Sequence, residues 1–438
     1  MGYYWLISRR GRVLSVFCGL VVLFVPVYLE GLRISLHSVS TTMPAAVDSL
    51  VDNGMTQRQL DLPQLPPEAK PPRNFQNKFN LPFYIYDTEF LDWQNATFYE
   101  NGKWETLAKS TDNYLKYKHS DDYWLLKHAK EHPMRTKDPS KAKLFFVPTL
   151  LNAWTRFNME KSDSQLCVKS VCNEELLSRA EDALRGSMWF QRNEGRDHVV
   201  VDSHFHKKVL WSEKRQYASR SALVKCNFIS FEDKMPNRWK HVQRFRPRVN
   251  IPSFYVGHQC SQPQPAKTHD FVMVASMHPE REDFLTRNNV CNWLTNSSLH
   301  SYSVAACGGA PHCPTMAMAK YGLHVRGDSL GSQRVMDTLL NGGIPLFTDP
   351  AQYAVLPDFI PWSKLTYLVD VASENKFHAS LQDKVLTTGN AEYQAKLELV
   401  EQYKDFWDHT QPMQLDAYLH RFAEKLGLHR VNKIEKVK

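Results

Sequence analysis

The stretch that decides the fold is Tyr321–Asp349, which reads YGLHVRGDSLGSQRVMDTLLNGGIPLFTD. It begins with an apolar run, Tyr321–Val325, and then turns through several Gly and Ser residues. Apolar residues follow at helical spacing, two glycines end that pattern, and a second apolar run occupies Ile344–Thr348. Short apolar runs indicate strands, and the spacing between them indicates a helix. The stretch therefore predicts a β-strand, an α-helix and a second β-strand in succession.

The turn between the first strand and the helix can hold an anion. Free backbone N–H groups and the positive end of the helix dipole meet at such a turn, which here contains Gly331 and Ser332. Arg326 and Arg334 add two cations that can bind phosphate through paired hydrogen bonds. Asp337 follows Arg334 by one helical turn, where a carboxylate could accept ribose hydroxyls. The alternative is an ordinary Gly-rich turn with surface arginines, because the stretch matches neither the P-loop nor the GxGxxG fingerprint.

Four segments of this region resemble the donor-binding half of the exostosin-type glycosyltransferases. They are Arg326–Arg334, Gly343–Leu346, Leu356-Pro357 and Trp362-Ser363, and they occur in the family's order and spacing. Weaker similarity reaches back to Leu81. The resemblance implies an α/β fold of GT-B type, in which two Rossmann-like domains face each other across a cleft. It also implies a nucleotide-sugar donor, foremost a UDP-sugar, and a glycan or polysaccharide acceptor.

The resemblance also implies roles for individual residues. The diphosphate is expected on the turn and its arginines, and the ribose is expected on Asp337. Arg281 follows the first strand of the second domain and is expected beside the phosphates. The expected donor-binding residues are Arg326, Gly327, Asp328, Gly331, Ser332, Arg334, Asp337 and Arg281.

The sequence departs from the family at several positions. Val325 stands where Pro is usual, His324 replaces Cys or Leu, and Gly343 takes a place that Cys often fills. Asp337 stands where Glu is common and is shorter by one methylene, which weakens the expected ribose contact. The phosphate-binding pattern survives these changes better than the identity of the donor does.

One missing motif bears on the mechanism. Glycosyltransferases of GT-A type hold a divalent metal on Asp-x-Asp, and this sequence contains no Asp-x-Asp. Together with the resemblance, this predicts transfer without a metal or another cofactor, with cations of the turn stabilising the leaving diphosphate. The resemblance also implies inversion at the anomeric carbon. The alternatives are a catalytically inactive lumenal partner of an active enzyme and a secreted carbohydrate-binding protein.

The N-terminal half alternates strands with helices. Apolar runs predict strands at Leu81–Tyr86, Leu144–Val147 and Val199–Val201, and helical spacing predicts helices at Asp121–Glu131 and Glu174–Met188. This alternation is typical of a parallel sheet covered by helices on both faces. The expected domains are an N-terminal acceptor-side domain at residues 77–258, a donor-binding domain at 259–375, and C-terminal helices at 376–438 that pack back on the first domain.

Polar residues follow the strand Val199–Val201 at its carboxyl end, where ligands bind in open α/β sheets. Asp202 and His204 are the candidates for taking a proton from an acceptor hydroxyl. For each of them the alternative is a helix cap or a buried hydrogen bond. Asp197 and His198 precede the same strand, so they predict a structural turn.

The N-terminus predicts a membrane anchor. Met1–Arg12 carries three arginines and no acid, and an almost wholly apolar run begins at Val13. Continued to Arg33, the run is long enough for a bilayer core of about 30 Å. The arginines predict a cytoplasmic N-terminus and a lumenal remainder. With the resemblance, this gives a single-pass type II protein of the Golgi membrane; the alternative is a signal peptide cleaved near Ala45-Ala46.

The sequence after the anchor is consistent with a lumenal location. Residues 34–76 are rich in Ser, Thr, Pro and Gln and predict an extended stem. Sequons at Asn95 and Asn296 are candidate glycosylation sites. The formal net charge is +8, and removing the three cytoplasmic arginines leaves +5 for the rest. This mild charge suits an anionic donor or an acidic glycan without requiring either, and no dense Lys/Arg stripe indicates nucleic acid. A homodimer, or a heterodimer with another glycosyltransferase, is left open.

Cysteine spacing favours disulfides over a metal site. The chain has eight cysteines, one of them inside the predicted anchor. Two pairs are close enough to bridge locally, Cys167 with Cys172 and Cys307 with Cys313. Three further lumenal cysteines remain, so one thiol must stay unpaired. Zinc is the alternative, but the chain has no CxxC pair and its histidines are scattered.

Overall fold

The structure, a computed structural model, describes residues 79–86, 96–107, 114–157, 164–204, 222–230, 249–260, 266–296, 302–387 and 389–428. All of them belong to one unit, Glu68–Lys438. The predicted anchor, the predicted stem and the sequon at Asn95 lie outside the described residues. Within the described ranges, no helix has the length and apolar character needed to cross a membrane.

Strands and helices alternate along the described chain. The strands are β1 (Phe83–Ile85), β2 (Ala96–Glu100), β3 (Lys103–Thr106), β4 (Arg135–Thr136), β5 (Leu144–Val147), β6 (Gln165–Val168), β7 (Val171–Cys172), β8 (His198–Asp202), β9 (Asn227–Ser230), β10 (Asn250–Pro252), β11 (His269–Val274), β12 (Val304–Gly308), β13 (Ala319–His324), β14 (Ile344–Phe347) and β15 (Tyr367–Leu368). The helices are α1 (Asp121–Glu131), α2 (Leu151–Thr155), α3 (Asn173–Gly186), α4 (Met188–Asn193), α5 (Leu285–Thr295), α6 (His312–Met318), α7 (Gln333–Leu340), α8 (Trp362–Leu365), α9 (Glu374–Leu381), α10 (Gly389–Gln402), α11 (Lys404–Trp407) and α12 (Met413–Lys425).

The N-terminal half is built on a parallel sheet. Its described strands lie in the order β10-β9-β8-β5-β1-β4, and every neighbouring pair is parallel. The apolar runs that predicted β5 and β8 are buried along their whole length. This is expected of parallel strands with helices on both faces. Chain order reverses between β1 and β5, which defines a crevice at their carboxyl ends.

A small antiparallel sheet adds to this half. Its described strands lie in the order β3-β2-β6-β7. Cys167 and Cys172 face each other across β6 and β7 and form the predicted disulfide. The sequence did not predict this sheet, because its strands are short and β2 pairs with a strand about seventy residues away.

The C-terminal half is built on a second parallel sheet. Its described strands lie in the order β12-β11-β13-β14-β15, and all neighbouring pairs are parallel. The predicted strand–helix–strand unit is present as β13, α7 and β14. Helix α7 packs closely on β13 at Gly322, where a Cβ atom would overlap the Thr338 hydroxyl. The α/β prediction with two parallel sheets is therefore confirmed.

Helix α12 contacts both halves. Asp416 accepts hydrogen bonds from the Phe79 N–H at 3.1 Å and from His132 Nε2 at 2.8 Å, both in the N-terminal half. Arg421 donates Nη2 to Asp358 Oδ2 at 2.5 Å in the C-terminal half. The last described helix thus ties the two sheets together.

The remaining disulfides differ from the prediction. Cys313 is bonded to Cys260, and Cys307 is bonded to Cys291, so the predicted Cys307–Cys313 bridge is wrong. Cys307 lies in β12 beside α5, whereas Cys313 lies at the start of α6 and faces a different segment. Cys226 is the unpaired thiol among the described cysteines. Asn296 lies exposed at the end of α5, where a glycan could be attached.

Candidate functional site

A cavity of about 210 Å³ opens at the carboxyl ends of β11 and β13. Ser276 follows β11 and Val325 follows β13, and both border the cavity. Chain order in the sheet reverses between these two strands, which is where ligands bind in open α/β sheets. Lys118 and Tyr255 border the cavity from the N-terminal half. The cavity is therefore shared by the two halves.

The predicted anion-binding turn forms one wall. Gly327, Asp328, Gly331 and Ser332 all line the cavity. Ser332 caps α7, and its hydroxyl accepts from the Arg334 N–H at 3.2 Å. The positive end of the α7 dipole and the first backbone N–H groups of the helix thus lie at the cavity wall. This is the geometry that the sequence predicted for a phosphate site.

Arg334 lines the cavity, but Asp337 does not. The Arg334 side chain is 28% exposed, and it donates Nη1 to Asp337 Oδ2 at 2.6 Å. The Asp337 carboxylate is fully buried, and its Oδ1 accepts from the His258 N–H at 2.8 Å. Both carboxylate oxygens are thus engaged inside the protein. As placed, Asp337 does not border the cavity and its carboxylate holds Arg334, so its contact with a ribose stays a prediction.

Arg326 is also placed differently from the prediction. It is not among the residues that line the cavity, and its buried Nε has no hydrogen-bond partner among the described residues. Arg287, at the first turn of α5, lines the cavity instead. Its guanidinium donates to the Ser276 carbonyl at 2.9 Å and to the Val325 carbonyl at 3.1 Å, and so joins the ends of β11 and β13.

Gly327 allows the Arg287 guanidinium to approach the turn closely. A Cβ atom at Gly327 would overlap the Arg287 guanidinium. Burial lowers the pKa of Arg287, but an arginine remains cationic at any physiological pH. Sequence reasoning missed Arg287, since an arginine in a helix carries no signal of its own. Gly327 indicates that another group lies close to the turn, but the sequence does not show that this group is Arg287.

Arg281 lies beside the cavity, bonded to one of its lining residues. It donates Nη2 to Asp328 Oδ1 at 2.7 Å, and its guanidinium lies 4.1 Å from the centre of the Phe284 ring. The pairing offsets the negative charge that Asp328 brings to the cavity. Three arginines, Arg281, Arg287 and Arg334, therefore lie at this wall of the cavity. The carboxylate of Asp328 lies there too, and it is paired with Arg281.

A histidine cluster lies next to Arg334. His258, His312 and Asp337 each offer one ligand atom, and these atoms lie within 4.8 Å of one another. Such a set could hold a transition metal. In the structure a guanidinium takes that place, because Arg334 Nη1 lies 2.6 Å from Asp337 Oδ2 and 3.5 Å from His312 Nε2. A metal would have to displace Arg334, so the cluster fits an arginine better than an ion.

The predicted proton acceptors lie behind the cavity. Asp202 ends β8, and both Asp202 and His204 are fully buried and do not line the cavity. His204 Nε2 is hydrogen-bonded to the Tyr117 hydroxyl at 2.7 Å. The His119 ring lies between His204 and Tyr255, with centroids 4.5 Å and 5.1 Å away. As placed, neither predicted residue can touch a hydroxyl in the cavity, so their prediction as the direct base is not supported by this geometry.

A buried carboxylate pair lies close to these residues. Asp121 accepts hydrogen bonds from the Ser203 and Ser253 hydroxyls, both at 2.5 Å. Asp122 accepts from the Asn152 N–H at 3.0 Å and so caps α2. Burial raises the pKa of Asp121 to about 6, and burial together with Asp121 raises the pKa of Asp122 to about 8. Sequence reasoning placed both residues at a helix start and did not single them out.

His324 ends β13 beneath Arg334. It is 2% exposed, and its Nε2 lies 3.2 Å from the Thr338 hydroxyl. That hydroxyl donates to the Arg334 carbonyl at 2.8 Å, so it accepts from His324, and Nε2 carries the proton. Nδ1 is then a buried acceptor without a partner among the described residues. Burial, aided by the charge of Arg334, lowers the pKa of His324 to about 3.

Comparison with known proteins identifies the family. The Exostosin GT47 domain matches residues 75–383, which is most of the chain. The chain therefore belongs to the exostosin GT47 family, as the resemblance predicted. A probable xyloglucan galactosyltransferase of Arabidopsis thaliana is 23% identical over 270 residues, covering 56% of each chain. A probable arabinosyltransferase of the same plant is 22% identical over 285 residues, covering 62% of this chain and 60% of its own.

The match thus spans between 56% and 60% of the length of these two relatives. Among solved structures, the GtfA/B complex is 11% identical with a TM-score of 0.31, over 60% of this chain and 63% of its own. WaaG, a glycosyltransferase of lipopolysaccharide biosynthesis, is 13% identical with a TM-score of 0.27, over 71% and 84% of the two chains. These scores are too low to support an inference about fold or activity.

Proposed function

We propose that this chain is a glycosyltransferase that moves a sugar from a nucleoside diphosphate donor to a glycan acceptor. The observation that carries the proposal is the cavity where β11 meets β13. A helix N-terminus and the guanidinium groups of Arg287 and Arg334 border it. This combination suits a diphosphate better than it suits a neutral sugar. Membership of the GT47 family supports the same assignment.

The proposed chemistry is electrostatic. As the bond to the anomeric carbon breaks, negative charge grows on the leaving diphosphate. Backbone N–H groups near Ser332 and the guanidinium of Arg334 would stabilise that charge without having to reorganise. The acceptor would enter from the N-terminal half, past Lys118 and Tyr255. We include inversion at the anomeric carbon and independence of metal in the proposal, supported by the family resemblance and by the lack of Asp-x-Asp.

The proposed substrates follow from the relatives. One relative is described as a xyloglucan galactosyltransferase and the other as an arabinosyltransferase. A UDP-hexose or UDP-pentose donor and a polysaccharide acceptor are therefore the proposed pair. We further propose that residues 13–33 anchor the chain in the Golgi membrane with the described part in the lumen. The disulfides support an oxidising compartment.

A lumenal glycan-binding partner without turnover is the second candidate. One observation favours it: Asp202 and His204 are fully buried, so neither presents a base to the cavity. Nucleotide binding alone does not separate the two candidates. Donor consumption does, because only the enzyme breaks the bond between the sugar and the diphosphate.

The test is nucleotide binding by the purified full-length chain. UDP, GDP, ADP and CMP would be titrated with and without EDTA, and donor consumption would then be measured for the base that binds. We expect Arg334→Ala to weaken binding about 10- to 100-fold, the loss of one charge-assisted bond pair. Arg179→Ala, which removes a surface arginine paired with Glu175, is the matched control. Equal affinity of both variants for the nucleotide would contradict the assignment of Arg334 to a diphosphate site.

A further inference from the structure

The segment Ser253–Cys260, here called the connector, leads from β10 to the C-terminal half and lies along α7. Gln333 and Asp337 of α7, and Asn341 directly after the helix, are spaced four apart and bind the backbone of the connector. Gln333 Nε2 donates to the Val256 carbonyl at 3.0 Å, and Asp337 Oδ1 accepts from the His258 N–H at 2.8 Å. Asn341 forms two bonds: its Oδ1 accepts from the Cys260 N–H at 2.8 Å, and its Nδ2 donates to the His258 carbonyl at 2.8 Å.

The start of the connector is bonded to the N-terminal half. The Ser253 hydroxyl donates to Asp121 Oδ2 at 2.5 Å, and the Val256 N–H donates to the Lys118 carbonyl at 3.0 Å. Between them, Tyr255 borders the cavity. The connector is therefore held on one side by the N-terminal half and on the other by the helix that carries Arg334.

A disulfide closes the far end of the connector. Cys260 is bonded to Cys313 at the start of α6, which places His258 and His312 on either side of Asp337. His258 Nδ1 lies 3.5 Å from Asp337 Oδ1, and His312 Nε2 lies 3.4 Å from Asp337 Oδ2. The Arg334 guanidinium points into this group through Nη1. The phosphate-binding arginine thus rests on a carboxylate that the connector and α6 enclose.

We propose that the connector, closed by the Cys260–Cys313 disulfide, is a positioning element for Arg334. It fixes the Asp337 carboxylate, and the carboxylate fixes the guanidinium at the wall of the cavity. A free arginine side chain samples many rotamers, and holding it in one of them before the ligand arrives removes that cost from binding. The proposal rests on the proposed function, since it assumes that Arg334 binds the donor diphosphate.

Burial supports the same arrangement. Asp337 is fully buried, and burying a carboxylate is costly unless charge partners and hydrogen bonds compensate for the lost water. Arg334 supplies the charge, and the His258 N–H supplies a fixed hydrogen bond. Burial and the charge of Arg334 lower the pKa of His312, so its neutral Nε2 can accept from the guanidinium. Opening the disulfide would release His258 and His312 together.

The test is a double-mutant cycle on nucleotide affinity, using the full chain and the diphosphate that binds best in the panel above. The pair Cys260→Ser/Cys313→Ser is combined with Arg334→Ala. We expect the cysteine pair to weaken binding about 10-fold, and Arg334→Ala to weaken it by a much smaller factor in that background than in the unmodified chain. Cys167→Ser/Cys172→Ser, which opens the disulfide of the antiparallel sheet, is the matched control and should leave the full effect of Arg334→Ala in place.

Thermal melting would show whether the Cys260→Ser/Cys313→Ser protein folds. If it does not fold, a second variant tests the same proposal. Asp337→Asn keeps an acceptor for the His258 N–H and removes the charge that holds Arg334, so it should show the same non-additivity. Additive losses in the folded variants would overturn the positioning role and leave the proposed function standing. Failure of the unmodified chain to bind any nucleoside diphosphate would overturn both. A loss equal for the diphosphate and its nucleoside would also overturn the proposal, because it would indicate general damage to the cavity.

Discussion

At the scale of single residues, Arg287 shows how a buried cation can be held ready for an anion. Its guanidinium donates to two backbone carbonyls, those of Ser276 and Val325, rather than to a carboxylate. Carbonyls orient the charge without cancelling it, so the cation remains available to a phosphate. The same two bonds join the ends of β11 and β13 and thereby shape the crevice between them.

Replacing Arg287 with lysine should separate the effect of the positive charge on nucleotide binding from the effect of the guanidinium shape. Lysine keeps the positive charge but lacks the planar fork that reaches both carbonyls. We expect Arg287→Lys to weaken nucleoside diphosphate binding about 10-fold, as judged by isothermal titration calorimetry. Arg179→Lys on α3 is the control for a general effect of the exchange. Full affinity in a normally folded Arg287→Lys protein would show that the fork is not needed.

At the scale of elements, the contact between the connector and α7 depends on a glycine. A Cβ atom at Gly257 would lie 2.7 Å from Met336 Cβ and 3.0 Å from the Met336 carbonyl carbon. Backbone cannot move aside as a side-chain end can, so the connector would be pushed away from α7. Asp337 would then lose its bond from the His258 N–H, and Arg334 would lose its fixed support.

Gly257→Ala should therefore damage stability and binding together. We expect a loss of about 1–3 kcal/mol in the free energy of unfolding, the usual cost of overpacking, together with weaker nucleotide binding. Urea denaturation and calorimetry would measure the two effects. Gly309→Ala is the matched control, since nothing lies within 4 Å of a Cβ atom there. If Gly257→Ala behaves like Gly309→Ala, the close contact is not a constraint.

Elements with a local signal were predicted well. Helix α1 and strand β5 have the bounds that the sequence predicted, because their apolar spacing is complete within each segment. The last predicted strand, Leu365–Val369, is only Tyr367–Leu368 in the structure, and Leu365 ends a helix. A run of five residues carries too little periodicity to separate these outcomes. Pairing partners, as in the antiparallel sheet, depend on contacts that no local pattern contains.

At the scale of the whole molecule, the residues that line the cavity were predicted where one segment supplies them and missed where other segments do. The turn through Gly331 and Ser332 to Arg334 is contiguous, and all three residues line the cavity. Arg287 and Tyr255 reach the same cavity from other parts of the chain, so spacing could not reveal them. The wrong disulfide has the same cause: Cys313 is near Cys307 in sequence but bonds to Cys260 in space.

The buried carboxylate pair makes the stability of the whole fold depend on pH. Burial and Asp121 raise the pKa of Asp122 to about 8, compared with an ordinary value near 3.8. Between these values the folded state keeps a proton that the unfolded state has lost, so stability falls as pH rises. Burial lowers the pKa of His324 to about 3 and that of His409 to about 4. Their effect has the opposite sign, and it fades over about one pH unit above 6.5 as the histidines of the unfolded state lose their protons.

Between pH 7 and 8 the opposition from the histidines therefore declines, while folded Asp122 still holds its proton. We expect the free energy of unfolding to fall by at most about 1.4 kcal/mol per pH unit, the limit for one proton. Asp122→Asn should flatten this slope, because its amide oxygen can still accept from the Asn152 N–H but carries no titrating proton. Asp182→Asn on α3, where the side chain is exposed, should keep the slope. Urea denaturation at several pH values measures it, and an unchanged slope in Asp122→Asn would mean that another group takes up the proton on folding.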